Sequence, residues 1–124
     1  AGQAQRNLSF YTEVLGLRLT KRPVNFDDPG TYHLYFGDHA GSPGSILTFF
    51  PFSDAQPGRA GAGTTSEIAL TVATGALEEW AARFADALAS GEFGHFDFEA
   101  PSARLGDSVL RFRDPDGLPL ALVE

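Results

Sequence analysis

The chain repeats itself, and no other feature restricts its fold as much. Leu8, Tyr11 and Leu15 in the first half match Leu77, Trp80 and Phe84 in the second, at the same spacing. Further on, Leu34, Phe36 and Asp38 of LYFGD match Leu110, Phe112 and Asp114 of LRFRD. Each half reads as a helix followed by three strands, and the second half has a further strand in front of its helix. A repeat of this kind is one supersecondary unit used twice. The repeat also exposes a gap. Glu67 stands ten positions before Leu77, so its counterpart would fall about two positions before Ala1. The leading strand of the first module is therefore expected to precede the residues given. A chain that opens on Ala1-Gly2 and contains no methionine fits that expectation.

In the first module (residues 1–52), Ala4 to Leu15 is read as a helix with Leu8, Tyr11 and Leu15 as its apolar stripe and Gly16 as its end. Leu17 to Phe26 is read as a strand whose Pro23 marks an edge or a bulge. Asp27-Asp28-Pro29-Gly30 is a turn: aspartate bonds its own backbone, proline sets φ, and glycine accepts positive φ. Thr31 to Gly37 then alternates, with Leu34 and Phe36 on one face and His33 and Tyr35 on the other. A loop at Asp38–Gly44 leads to a third strand, Ser45 to Phe50, which adds Thr48 to the polar face. The meander resembles half of a cup with a polar floor.

Residues 53–65 (SDAQPGRAGAGTT) lack periodicity and read as a linker. No lysine or helix start follows their glycines, so they do not make a phosphate loop. The second module, 66–124, begins with a strand at Ser66 to Val72, with Ile68, Leu70 and Val72 on one face and Glu67, Ala69 and Thr71 on the other. Ala76 to Leu88 is an amphipathic helix. Phe93, Phe96 and Phe98 belong to one strand, Ser108 to Phe112 to another, and Leu118 to Val123, after the Asp114–Gly117 turn, to the last. The fold class is α+β, with paired βαβββ modules whose sheets curl into a cup under helices on the convex side.

The net charge of −7 argues against nucleic acid and anionic membrane as partners, which need a basic footprint. With no cysteine, disulfides, thiolate metal sites and cysteine nucleophiles are excluded, and any metal must be held by the three histidines and the carboxylates. No apolar run approaches the ~18 residues of a membrane span. With no signal peptide in view, the expected location is cytoplasmic.

Among the candidate residues, His33 shares the cup side with Tyr35. There it binds a substrate oxygen or shuttles a proton, or else is hydrogen-bonded within the cup. His39 lies in a glycine-rich turn and is read as solvated, and His95 is read as a loop or strand-end residue beside phenylalanines. Arg111 and Arg113 either line the cup and pair with an anionic substrate or face solvent beside Asp114 and Asp116. Phe49-Phe50-Pro51-Phe52 reads as core and interface, and eleven phenylalanines in so short a chain suggest a second buried surface.

Strand–helix–three strands, twice, resembles the vicinal oxygen chelate superfamily, which includes glyoxalase I, bleomycin-resistance proteins and extradiol dioxygenases. AQRNLSFYTEVLGLRL, VNFDDPGTYHLYFGD, GSPGSILTFFPF and RFRDPDGLPLALV are most similar to the N-terminal domain of the hydroquinone-type ring-cleaving dioxygenases, over nearly the whole chain. The resemblance implies an Fe(II)-dependent (or Mn(II)-dependent) dioxygenase opening a small aromatic diol when complete. It also implies a homodimer or a second glyoxalase-like domain as partner. Two imidazoles and a carboxylate leave open positions on iron(II) for a diol and dioxygen. Carried onto this sequence, the first-strand histidine precedes Ala1, and the second module's first-strand ligand position falls on Glu67. The last-strand positions fall on Ala121 and Thr48, so the metal site is incomplete in this chain. His33 and Tyr35 are the catalytic candidates, Glu67 the metal ligand, and Thr48 and Arg111 the substrate-binding pair. Two alternatives stand beside this one: a metal-free binding protein of the bleomycin-resistance type, and a glyoxalase-like lyase or isomerase.

Overall fold

A computed structural model describes all 124 residues. Its contacts divide the chain into two compact units, Ala1–Gln56 and Pro57–Glu124. The division falls within residues 53–65, which form no helix or strand.

In the first unit, helix α1 (Ala4–Ser9) runs directly into a π-helical stretch, Phe10–Val14. Leu15 N–H donates to the Phe10 carbonyl at 3.1 Å, one residue farther than an α-helical bond. The wider turn changes the phase of the helix. Phe10 and Tyr11 are therefore both buried, as are Val14 and Leu15, whereas Leu8 is only half-buried. The expected Leu8–Tyr11–Leu15 stripe is thus replaced by a broader one. Gly16 ends the helix at φ +70°, and Leu17 N–H donates to the Tyr11 carbonyl across it.

Strands β1 (Arg18–Lys21), β2 (Leu34–Gly37) and β3 (Leu47–Phe49) form an antiparallel sheet in that order. Tyr11 packs on one face of it, 5.4 Å from Phe36 and 4.5 Å from Phe49 between ring centroids. The strand expected over Leu17 to Phe26 stops at Lys21. Pro23 has no N–H to give a ladder, and beyond it only the Val24–Tyr32 bridge continues the pairing. The turn expected at Asp27–Gly30 closes one residue later, Thr31 N–H donating to the Asp28 carbonyl at 3.0 Å, and Gly30 does not enter the left-handed region. Asp28 shapes the turn instead, its carboxylate accepting from Gly30 N–H at 3.2 Å and Thr31 hydroxyl at 2.6 Å.

In the second unit, β4 (Ile68–Thr71) is followed by α2 (Leu77–Ser90), β5 (Asp97–Phe98), β6 (Ser102–Arg104), β7 (Asp107–Arg113) and β8 (Pro119–Val123). The sheet order is β4-β8-β7-β5, with β6 also on β7, and β4 runs parallel to β8. Here four strands follow the helix, not the expected three. β6 is the added one, joined to β7 through a two-residue turn at Leu105-Gly106. Phe84 of α2 is fully buried against Phe96, Phe98 and Phe112 of the sheet. The repeat survives with a change of setting. Asp114 is buried and accepts from Asp116 and Leu118 N–H at 2.9 Å, whereas Asp38 is exposed and accepts from Ser42 N–H at 2.8 Å.

Candidate functional site

The first sheet has one face covered by Tyr11 and one left uncovered. Antiparallel pairing sets Tyr35 opposite Thr48, and the alternation of side chains puts His33 on the same side. His33 is sandwiched between two rings, with centroids 4.1 Å from Tyr35 and 4.0 Å from Phe50. Phe50 in turn stacks at 6.3 Å on Phe52. The backbone of His33 is anchored by N–H donation to the Pro23 carbonyl at 2.8 Å. Its Nε2 is buried and has no hydrogen-bond partner. A buried polar atom left unpaired costs about 1–3 kcal/mol, so packing alone does not account for a histidine in this stack. Thr48 is exposed beside these rings.

Lys21 joins the same face through an irregularity of β1. Leu19 pairs with Phe36, and a regular ladder would then pair Thr20 with Tyr35. Instead a β-bulge sets Lys21 opposite Tyr35. Its ammonium stands 5.9 Å from the centre of the Tyr35 ring.

A second polar cluster lies in the other unit. Glu67 Oε1 accepts from Arg104 Nη1, and Oε2 from Arg111 Nε at 3.2 Å. Glu67 and Arg111 line a cleft of about 190 Å3, with Asp97, Glu99 and Arg113 along it. Arg111 is placed there by its pairing with Ala121, a fully buried residue with no polar side-chain atom. The carboxylate considered as a metal ligand therefore has guanidinium groups as its neighbours. Nowhere in the chain do three His, Asp or Glu side chains converge as a metal would require. The donors of this chain do not fit a divalent metal by themselves.

The candidates thus fall in two places. His33, Tyr35 and Thr48 gather on one face of the first unit, and Glu67 and Arg111 in the cleft of the second. Phe50, Lys21 and Arg104 were not among the expected site residues. Arg104 lies on the unforeseen strand β6. For Lys21 a signal existed: strict alternation from Leu17 and Leu19 would send it to the buried face, where a lysine does not belong. His39 is exposed, but its carbonyl accepts from Arg18 at 2.8 Å; His95 is exposed.

The sequence profile of the glyoxalase/bleomycin resistance protein/dioxygenase superfamily matches residues 1–122. MhqE of Bacillus subtilis (strain 168), provisionally named a ring-cleaving dioxygenase, is 45% identical over 124 residues, covering 100% of this chain and 38% of that protein. A protein of Sphingobium indicum named chlorohydroquinone/hydroquinone 1,2-dioxygenase is 33% identical over 94% of this chain and 39% of its own length. The crystal structure of a provisionally assigned dioxygenase from Bacillus subtilis subsp. subtilis str. 168 superposes with a TM-score of 0.89 at 43% identity, over 100% of this chain and 37% of that one. A glyoxalase family protein from Enterococcus faecalis, with a TM-score of 0.72 at 23% identity over 99% of this chain and 90% of that one, shares the fold. The chain spans somewhat over a third of the length of the curated relatives it matches.

Proposed function

We propose, given that this chain belongs to the glyoxalase/bleomycin resistance protein/dioxygenase superfamily, that it supplies the ring-receiving face of a metal-dependent dioxygenase opening a hydroquinone-type aromatic diol. The observation that carries this reading is His33, held between Tyr35 and Phe50 with Nε2 buried and unpartnered. A dihydroxylated ring has flat apolar faces to lie against such aromatic side chains. It also has hydroxyl groups to pair with the exposed Thr48 hydroxyl and, on displacing the groups that cover it, with the unpartnered imidazole nitrogen. An imidazole so placed takes a proton from a ring hydroxyl, or returns one, with Tyr35 holding the plane of the imidazole. The activity named for the Sphingobium relative supports the choice of ring.

An iron(II) or manganese(II) ion, when bound, would supply coordination of the diol and dioxygen together. Glu67 is engaged with Arg104 and Arg111, so in this reading the ligand set is completed by groups from a second glyoxalase-like domain or a second copy. The test is oxygen uptake with chlorohydroquinone by the chain joined to a second glyoxalase-like domain that supplies the metal ligands and loaded with iron, compared with the His33→Ala variant of the same assembly. Loss of kcat by about 100-fold or more, the scale of general acid–base catalysis, supports the role of His33. An unchanged kcat would remove it.

A second reading, a metal-free binder of small aromatics, is favoured by the arginine partners of Glu67. Hydroquinone binding by the chain, with no oxygen uptake by the iron-loaded assembly that includes the second domain, is its expected signature. Bacterial relatives and the absence of any helix long and apolar enough to cross a membrane accord with a cytoplasmic location, which remains part of the proposal.

A further inference from the structure

We infer that Lys21 recognises an anionic oxygen on the aromatic ligand, so that the first unit selects phenolate- or carboxylate-bearing rings over neutral ones. The inference rests on the reading that a ring lies on the face bearing His33, Tyr35 and Phe50.

The argument begins with register. Leu19 pairs with Phe36, whose side chain is fully buried. Two residues on, a regular strand would send Lys21 to that same face, opposite Leu34, which is only 2% exposed. An ammonium there would be desolvated without a partner, which is prohibitive. The bulge between Leu19 and Lys21 inserts one residue and turns the lysine to the opposite face, where it pairs with Tyr35. Bulges commonly re-aim a side chain in this way beside functional sites.

What Lys21 meets on that face matters as much. The chain has sixteen acidic residues to nine basic ones, yet Lys21 makes no ion pair. Its near neighbour is the Tyr35 ring, a weak cation–π contact at 5.9 Å. The adjacent Arg22 is engaged elsewhere, over the Tyr32 ring at 5.3 Å. Lys21 therefore presents an exposed cation with free donors at the rim of the aromatic stack. A ring resting at the edge of this stack, beside Tyr35, would bring a substituent oxygen toward the ammonium, and an anionic oxygen gains more from it than a neutral one.

Calorimetric titration of the protein with three probes tests this: hydroquinone, 2,5-dihydroxybenzoate, and a halogenated hydroquinone measured on both sides of its own ionisation. Lys21→Met keeps the aliphatic stem and removes the charge; Lys21→Arg keeps the charge. The expected result is about a fivefold loss of affinity for the anionic probes in Lys21→Met, the scale of a partly exposed ion pair. Hydroquinone affinity should be unchanged, and Lys21→Arg should restore most of the loss. Loss for 2,5-dihydroxybenzoate alone identifies a ring carboxylate as the recognised group, and loss for the ionised halogenated probe identifies a phenolate. Equal affinities of the unsubstituted protein and Lys21→Met for every anionic probe, or an equal loss for hydroquinone, would overturn the inference. Failure of the unsubstituted protein to bind any of the three would instead overturn the reading of the face on which it rests.

Discussion

Arg111 donates through Nε to Glu67 Oε2 at 3.2 Å, across strands forty-four residues apart in the chain. The other oxygen of the same carboxylate is held by Arg104. Glu67 occupies the position at which the family resemblance places a metal ligand, and here two guanidinium groups stand where a cation would. Its side chain is 18% exposed, against 45% and 38% for Arg104 and Arg111, so the carboxylate is the most sheltered member of the group.

Replacing Glu67 with Gln should therefore act on stability. It leaves both guanidinium groups without a counter-charge, and a loss of about 1–2 kcal/mol is expected, between an exposed ion pair and hydrogen bonds to a buried charge. Urea unfolding of Glu67→Gln measures it. Iron(II) or manganese(II) added to the metal-free chain should leave the melting temperature unchanged, since an ion that binds only the folded state would raise it. A clear rise that disappears in Glu67→Gln would show that the carboxylate exchanges its arginines for metal.

His33→Phe should separate stability from function. Phenylalanine keeps the stack between Tyr35 and Phe50 and removes the buried nitrogen that has no partner. Thermal unfolding is expected to be equal to that of the unsubstituted protein, or higher by up to about 1–3 kcal/mol in stability. Hydroquinone turnover should fall as in His33→Ala. A marked loss of stability would mean that Nε2 is bonded in solution, for example to a bound water.

Phe84→Ala should be among the most damaging substitutions in the second unit. Phe84 is fully buried, and its ring centroid lies 4.9 Å from that of Phe112. Deleting a packed phenylalanine costs about 3–5 kcal/mol, a large share of a small domain's stability. Hydrogen exchange of the β7 amides should report it. Exchange unchanged from that of the unsubstituted protein would mean that this aromatic cluster does not hold the helix to the sheet.

Asp38 gives the chain an acid-sensitive loop. The Ser42 backbone N–H, assisted by the Ser42 hydroxyl, holds its carboxyl below the ordinary value of 3.8. A carboxyl lowered in the folded state favours folding above the unfolded pKa, and that contribution disappears as pH falls through the folded value. The Asp38–Gly44 loop should loosen only below about pH 4, the ordinary aspartate range. Carboxyl-carbon NMR should place the Asp38 midpoint below 3.8. Asp38→Asn should remove the acid dependence of Ser42 amide exchange; a midpoint at or above the ordinary value would contradict this.

Much of this molecule could be read from local periodicity. The two helices, the Gly16 stop, the facing of Leu34 and Phe36 away from His33 and Tyr35, and the repeat itself follow from spacings of 3.6 and 2, which need no knowledge of distant residues. The Asp114–Gly117 turn is equally local, since an aspartate reaches its own backbone within four positions. Three features needed the assembled fold. The π-helical turn at Phe10–Val14 widens the buried stripe, and the width of a stripe is set by the sheet it meets. The bulge that turns Lys21 to the aromatic face exists only as a mismatch between two paired strands, so one strand's pattern contains just its symptom, a lysine at an apolar position. Arg104 reaches Glu67 from a strand too short and too exposed to leave a periodic signature, and a charge pair spanning thirty-seven residues has no trace in spacing. Alternation assigns side chains to faces; register across strands decides which of them meet.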